Sequence, residues 1–326
     1  MQRIEKKDNK IMTECNKSII IIIKPQSVYL FKKWSDFMSE GAAKTGAGPT
    51  FLIAAEQYYS EEQRVINDDF AIKMLSPGLR TFVSLMRFPK MRQWMIKGSE
   101  RDIPGMWAGM LIRKRYIDEK LRDSVPNMSA VVNLGAGADS RFFRIPELKN
   151  IPVWELDQSA IISSKGSQIA KALTVFPKNL FLTPIDFDHD SIADVLSSKG
   201  YPKNAMTFFI WEGVTQYLTQ EGIESVFDFL SNAEAGSKLA FTYVLKDFIQ
   251  GKVMYDWEKA YEKYVLKDKI WVYGINPDEL PSVLEKYGWR LIEDKSSADL
   301  ADSYIKPTGR TLKTTPIERI CVAEKV

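Results

Sequence analysis

The sequence predicts an α/β protein with a mostly parallel, doubly wound sheet, and three features of the chain support this class. Seven short runs are apolar, and the first five are separated by stretches long enough for crossover helices. One run, VVNL at 131–134, ends in the glycine turn GAG. The last two runs are expected to pair antiparallel at one edge. The expected strands are 130–135, 152–157, 179–185, 205–211, 238–244, 289–294 and 317–324.

Three segments are expected along the chain. Residues 1–26 form an N-terminal arm, 27–128 a helical cap, and 129–326 the sheet domain. The arm contains SIIIIIK, whose five isoleucines fall short of the roughly 7–15 apolar residues of a signal peptide and the about 20 of a membrane helix. We therefore expect an edge strand or a packed arm, with no membrane partner.

Composition narrows the class of protein. The chain has 45 basic and 42 acidic residues and a net charge of +3, so no basic surface for nucleic acid stands out. Its two cysteines, Cys15 and Cys321, lie near opposite ends and have no metal-ligand spacing. We therefore expect a cytoplasmic protein without a metal site.

An insertion at 245–276 separates the fifth strand from the next helix. Its aromatic side chains either pack together or form a lid over an organic substrate, beside the carboxyl ends of the strands. These side chains are Phe248, Tyr255, Trp257, Tyr261, Tyr264, Trp271 and Tyr273.

The glycine turn is typical of dinucleotide, nucleoside-triphosphate and S-adenosylmethionine (SAM) sites. GAGADSR lacks the lysine of a P-loop. It also lacks the third glycine of a dinucleotide fingerprint, because Asp139 and Ser140 occupy that region. An acidic residue at that helix start would repel a pyrophosphate. SAM carries no phosphate, so the objection does not apply to it.

Two carboxylates that follow strands fit an adenosine ligand. Asp157, twenty residues after Gly137, closes the second strand, where a carboxylate accepts hydrogen bonds from both ribose hydroxyls. This role supports SAM and NAD equally. Asp186 follows the third strand and either meets the adenine amino group or caps its own loop.

Two further charged residues suit the methionine end of SAM. Glu212 ends the apolar strand FFIW and could pair with an ammonium, since an unpaired buried carboxylate is costly. Upstream, the planar fork of Arg113 suits a carboxylate, although Arg115 competes for this role.

Together, NLGAGADSRFFR, WELD, WEGVTQYL and RKRYID resemble the leucine carboxyl methyltransferase-like family of SAM-dependent methyltransferases. The resemblance runs from about Gly48 to the C-terminus and implies a class I, Rossmann-like fold with an antiparallel last strand. It also implies SAM as the cofactor. Ser140 stands where relatives usually carry threonine. By this resemblance, Arg113 would bind the methionine carboxylate and Glu212 would lie at the methionine amine. The turn Gly135, Ala136 and Gly137 would lie along the methionine part. Asp157 would hold the ribose, and Asp186 would meet the adenine edge.

The groups that the sequence lacks exclude several classes of methyl acceptor. Neither cysteine adjoins a motif, WEGV stands where enzymes of nucleic-acid amines carry an Asn/Asp-Pro-Pro turn, and the one histidine, His189, lies in a loop. A carboxylate is already ionised at neutral pH and needs no base, whereas a phenol does. We therefore expect O-methylation of a carboxylate or hydroxyl of a small molecule or peptide, with lid tyrosines or lysines as bases for a hydroxyl.

Two other functions stay open at this point. A nicotinamide-dependent oxidoreductase would use the same sheet, and a catalytically inactive SAM-binding module would keep the same site residues. The sequence identifies neither the acceptor, the catalytic base nor the oligomeric state.

Overall fold

The seven predicted strands form one sheet, in the order β3-β2-β1-β4-β5-β7-β6, in the computed structural model, which describes residues 46–187 and 189–326. Strands β1 to β5 run parallel, and β7 pairs antiparallel with both β5 and β6. The predicted fold class is confirmed, as is the antiparallel pairing of the last two strands. The strands are Ala130–Leu134 (β1), Val153–Asp157 (β2), Leu180–Pro184 (β3), Thr207–Trp211 (β4), Lys238–Val244 (β5), Trp289–Ser296 (β6) and Glu318–Lys325 (β7).

Four helices precede the sheet, and eight more follow its first strand in the described part of the chain. The predicted arm, its isoleucine run and residues 27–45 lie outside the described residues. The first four helices are Ala47–Glu56 (α1), Pro77–Ser84 (α2), Pro89–Asp102 (α3) and Met106–Ser124 (α4). The others are Arg141–Arg144 (α5), Ser159–Ala172 (α6), Ile192–Ser198 (α7), Gln220–Ser231 (α8), Lys246–Ile249 (α9), Glu258–Ala260 (α10), Leu280–Lys286 (α11) and Ala301–Tyr304 (α12), with a π-helical turn at Tyr261–Lys267.

Strand order reverses between β1 and β4, which are neighbours in the sheet. In an open α/β sheet, ligands bind outside the carboxyl ends of the strands at such a reversal. Gly135, Asp157 and Glu212 follow or end β1, β2 and β4 respectively. The topology therefore brings these three predicted residues to one edge of the sheet.

The central strands are buried on both faces, as expected where helices cover a parallel sheet. In β4, Phe209 packs edge-to-face against Phe229 and Trp289, with ring centroids 5.9 and 6.3 Å apart. In β2, Trp154 stacks on Phe181 of β3 at 4.9 Å. Aromatic burial of this kind holds the central strands in fixed positions.

The insertion (residues 245–276) leaves and rejoins the sheet at the carboxyl end of β5. Ile275 donates its N–H to the carbonyl of Val244 at 3.1 Å, and Lys246 donates to Ile275 at 3.2 Å. Further along, the indole of Trp257 donates to the carbonyl of Pro104 at 2.7 Å. The insertion is therefore attached both to the sheet and to the loop between α3 and α4.

Much of the predicted aromatic content of the insertion packs internally. Trp271 stacks on Tyr264 with centroids 5.0 Å apart, and it lies 6.3 Å from both Phe248 and Trp257. Of the two alternatives for the insertion, packing of its aromatic side chains against one another describes these four rings.

No helix within residues 46–187 and 189–326 combines the length and the apolar character needed to cross a bilayer.

Replacing Phe209 with alanine is expected to lower the free energy of unfolding by about 3–5 kcal/mol, because the cavity would lie at the centre of the sheet. Chemical denaturation measures this change. Phe176→Ala is the matched control, since this ring is 40% exposed, and it should change the stability by less than about 0.5 kcal/mol. Equal losses in the two variants would contradict the placement of β4 in the core.

Candidate active site

The glycine turn after β1 has a backbone that only glycine adopts without strain. Gly135 and Gly137 have φ angles of 74° and 50°. A Cβ on Gly135 would lie 2.4 Å from Cγ2 of Val214, and one on Gly137 would lie 3.2 Å from Cα of Gly46. The N–H groups of Gly135 and Ala136 both donate to the carbonyl of Leu156 at 2.9 Å. The turn is therefore held against β2.

Asp157 joins the end of β2 to the glycine turn. Its Oδ2 accepts the N–H of Gly137 at 2.6 Å, and its Oδ1 accepts the N–H of Gln158 at 2.7 Å. Burial raises the pKa of Asp157, and these two hydrogen bonds oppose the rise. Each carboxylate oxygen keeps further acceptor capacity, which is what two ribose hydroxyls require.

The helical block reaches the glycine turn from the other side. Thr50 of α1 donates its hydroxyl to the carbonyl of Ala138 at 2.8 Å. The hydroxyl of Ser140 donates to Asp68 at 2.6 Å. Ser140, which stands where relatives usually carry threonine, therefore still uses its hydroxyl in a hydrogen bond.

Glu212 lies at the centre of a buried ion-pair network. Its Oε1 accepts from Nε of Arg113 at 2.8 Å, and its Oε2 lies 3.1 Å from Nζ of Lys114 and 2.9 Å from Nη2 of Arg141. Burial alone would raise the pKa of Glu212, but Lys114, Arg113 and Arg141 outweigh it and lower the pKa to about 2. The carboxylate is therefore ionised at neutral pH.

Arg113 is the arginine of α4 that faces this site. Its Nη1 also donates to Glu318 of β7 at 2.5 Å, while Nη2 has no partner among the described residues. Gly213 lies beside it, and a Cβ there would approach Nη2 to 3.3 Å. The competing Arg115 instead pairs with Glu119 at 2.9 Å, on a half-exposed surface.

Sequence reasoning missed Lys114, Arg141, Arg144 and Asp118, of which Lys114 and Arg141 contact Glu212. Arg141 and Arg144 of α5 both bind Asp118 of α4 at 2.6 Å, and Arg141 also pairs with Asp139. Burial tends to raise the pKa of Asp139, but Arg141, Lys114 and Arg144 lower it well below its usual range. The available signal was the spacing Asp-Ser-Arg-Phe-Phe-Arg, which places both guanidiniums beside Asp139.

Asp186 lies at the same edge of the sheet, on the loop after β3. Pro184 of β3 is in register with Asp157, and Ile185 donates its N–H to the carbonyl of Asp157 at 2.9 Å. The Asp186 side chain is exposed, and one of its oxygens lies 3.0 Å from Nδ1 of His189. Its predicted contact with the adenine edge stays a prediction.

Comparison with known proteins identifies the family. Residues 47–231 match the leucine carboxyl methyltransferase family, which is more than half of the 326 residues. The chain belongs to this family. It is a SAM-dependent methyltransferase, and SAM is its cofactor.

Bacterial relatives agree with this membership. A protein of Mycolicibacterium gilvum is 30% identical over 249 residues, covering 76% of this chain and 74% of its own. A protein of Mycobacterium avium is 28% identical over 225 residues, covering 68% and 72%. Both are provisionally named S-adenosyl-L-methionine-dependent methyltransferases.

Two solved structures share the fold of the methyltransferase. A provisionally named methyltransferase of Thermobifida fusca has a TM-score of 0.54 at 12% identity, covering 86% of this chain and 96% of its own. A DUF574-family protein of Streptomyces avermitilis has a TM-score of 0.53 at 13% identity, covering 84% and 97%. Both support the class I architecture predicted from the sequence.

The residues of the methyltransferase fit SAM at three points of its surface. Asp157 retains acceptor capacity for ribose hydroxyls. Nη2 of Arg113 is a donor with no partner among the described residues, which suits a carboxylate. Beside it, the ionised Glu212 suits an ammonium. The individual contacts of these residues with SAM stay predictions.

Replacing Asp157 with alanine is expected to weaken the binding of S-adenosylhomocysteine (SAH) by about 1–3 kcal/mol, because hydrogen bonds to the ribose are lost. Isothermal titration calorimetry measures the change. Asp228→Ala is the control, since Asp228 is exposed on α8, and it should bind normally. Unchanged affinity in Asp157→Ala would place the ribose elsewhere.

Arg113→Lys should weaken SAH binding, because an ammonium cannot reproduce the planar fork that binds two glutamates and that we predict to bind the ligand carboxylate. We expect an effect of about tenfold or more. Arg115→Lys, two residues along the same helix, should leave the affinity within about twofold, because it is a surface substitution. A larger loss of affinity in Arg115→Lys than in Arg113→Lys would assign the carboxylate-binding role to Arg115 instead.

Proposed function

We propose that this methyltransferase transfers a methyl group to an oxygen of a small molecule or peptide, with a carboxylate as the acceptor group. The observation that carries this proposal is the state of three of the four phenols in the insertion. Burial, the first cause in each case, raises the pKa of Tyr255, Tyr264 and Tyr273 to about 12. These hydroxyls are protonated at neutral pH and are poor general bases. An acceptor that is already ionised needs none.

Two further groups support an acceptor that needs no activation. His189, the single histidine of the chain, has a side chain 79% exposed and lies against Asp186. Cys321 is buried in β7, and burial raises the pKa of its thiol well above the usual value. Neither group has the environment of a catalytic base or nucleophile. The name of the family, leucine carboxyl methyltransferase, points to the same acceptor chemistry.

The insertion supports an enclosed acceptor next to the cofactor. Val272 donates its N–H to the carbonyl of Gln216 at 2.8 Å, four residues after Glu212. The ring of Tyr217 packs edge-on against Trp271, with centroids 6.4 Å apart. The insertion thus covers the loop that follows β4. We propose that residues 245–276 act as a lid, which excludes water from the methyl transfer.

In this proposal the residues of the chain bind and orient the reactants. Bound SAM supplies an electrophilic methyl group on its sulfonium. Asp157 holds the ribose, Arg113 the methionine carboxylate and Glu212 the methionine ammonium. The lid places the acceptor carboxylate in line with the bond that breaks. A C–O bond forms as the C–S bond breaks, giving a methyl ester and SAH without proton transfer.

A hydroxyl acceptor is the second candidate, and one observation favours it. Asp247 lies in α9, three residues after the end of β5, and its Oδ2 accepts the hydroxyl of Tyr255 at 2.7 Å. Its Oδ1 is buried and has no hydrogen-bond partner among the described residues. Such an oxygen could take a proton from an acceptor hydroxyl.

The two acceptors are distinguished with methyl-labelled SAM and paired panels of carboxylic acids and phenols. A methyl ester releases labelled methanol in alkali, whereas an aryl methyl ether does not. We expect alkali-labile product, with Asp247→Asn retaining it and Glu224→Gln on the surface of α8 as the control. Alkali-stable product that is lost in Asp247→Asn would replace the carboxylate with a hydroxyl acceptor.

A further inference from the structure

Arg141 pairs with three carboxylates of the buried network, and Glu212 is one of them. Its side chain is 2% exposed, and each of its three nitrogens meets a different carboxylate. Nε donates to Asp118 at 2.6 Å, Nη1 pairs with Asp139, and Nη2 donates to Glu212 at 2.9 Å. The guanidinium of Arg141 thus connects α4, the glycine turn and the end of β4.

The Glu212 carboxylate is oriented by these contacts. Arg113 binds one of its oxygens, while Lys114 and Arg141 share the other. A lysine ammonium is a point charge on a flexible stem, whereas the guanidinium imposes a direction on the oxygen that it binds. Of the two groups on Oε2, Arg141 is therefore the one that restricts rotation of the carboxylate.

We propose that Arg141 is a positioning residue for SAM, which holds the Glu212 carboxylate in the orientation that receives the methionine ammonium. The inference rests on the proposed role of Glu212. Arg141 itself need not touch the cofactor, because three of its nitrogens are already bound by carboxylates.

A neighbouring arginine provides a closely matched control. The Arg144 side chain is also 2% exposed and binds Asp118 through Nε at 2.6 Å and Nη2 at 2.9 Å. It pairs further with Asp68 and Asp139, both at 3.2 Å, but does not contact Glu212. Both arginines stabilise the same network, and only Arg141 reaches the predicted ammonium site.

The contacts of the Glu212 carboxylate predict how the affinity for SAH depends on pH. The charged groups that face Glu212 are Arg113 and Lys114 of α4, Arg141 of α5 and Asp139 of the turn. Of these, Asp139 alone raises the pKa of Glu212. In Arg141→Lys a single ammonium cannot bind Asp118, Asp139 and Glu212 together, so the charge compensation at Glu212 weakens and its pKa moves upward, towards that of an ordinary glutamate. SAH affinity should then decline on acidification at a higher pH than in the wild type.

The test compares Arg141→Lys, Arg144→Lys and Glu212→Gln by calorimetric titration with SAH at about pH 7.5 and about pH 5. Denaturation of each variant reports its stability. We expect Arg141→Lys to lose about 10- to 100-fold in affinity, the effect of one charge-assisted hydrogen bond, and to lose more at the lower pH. Arg144→Lys should be similarly destabilised and should lose less than about threefold in affinity at both pH values, because Arg144 does not contact Glu212.

Two results would overturn the inference, and they differ in cause. If Glu212→Gln weakens binding while Arg141→Lys and Arg144→Lys behave alike, Arg141 has only a structural role. If Glu212→Gln binds SAH normally, the proposed role of Glu212 fails, and the inference about Arg141 fails with it.

Discussion

The buried ion-pair network around Glu212 is the constraint on which the arrangement of this site depends. An ionised carboxylate is costly in the interior unless cations and donors surround it. Here three cations from two helices meet Glu212, and Arg113 extends the network to Glu318 on β7. Removing one partner leaves the others buried and uncompensated. The network therefore ties α4, α5, β4 and β7 into a single arrangement.

The helical block contributes directly to the edge of the sheet where the cofactor is expected. Asp68 binds Ser140 and Arg144, Asp118 binds Arg141 and Arg144, and Thr50 binds the glycine turn. Two consequences follow. The glycine turn keeps its shape through contacts with Thr50 and Asp68, which precede their partners in the turn by more than seventy residues. A substitution in the helical block can also alter cofactor affinity without touching the cofactor.

Most of the sheet could be predicted from the sequence, because short apolar strands between helical stretches leave a strong pattern. All seven expected strands are present, and the positions of Gly135, Asp157 and Glu212 at their ends follow from parallel topology. The place of β7 between β5 and β6 was beyond prediction, since both edge orders satisfy the same apolar pattern. The ion-pair network around Glu212 was harder still to predict. Arg141, Arg144 and Asp118 look like surface charges, and only long-range folding places them in the interior.

The central claim is that the carboxyl edge of the sheet holds SAM, and parallel calorimetric titrations of the purified protein with SAH and with NADH test it most directly. The account predicts saturable binding of SAH and no heat of binding from NADH. Binding of NADH without SAH would contradict it, because the glycine turn and Asp157 would then serve a dinucleotide. Failure of both ligands to bind would contradict it as well.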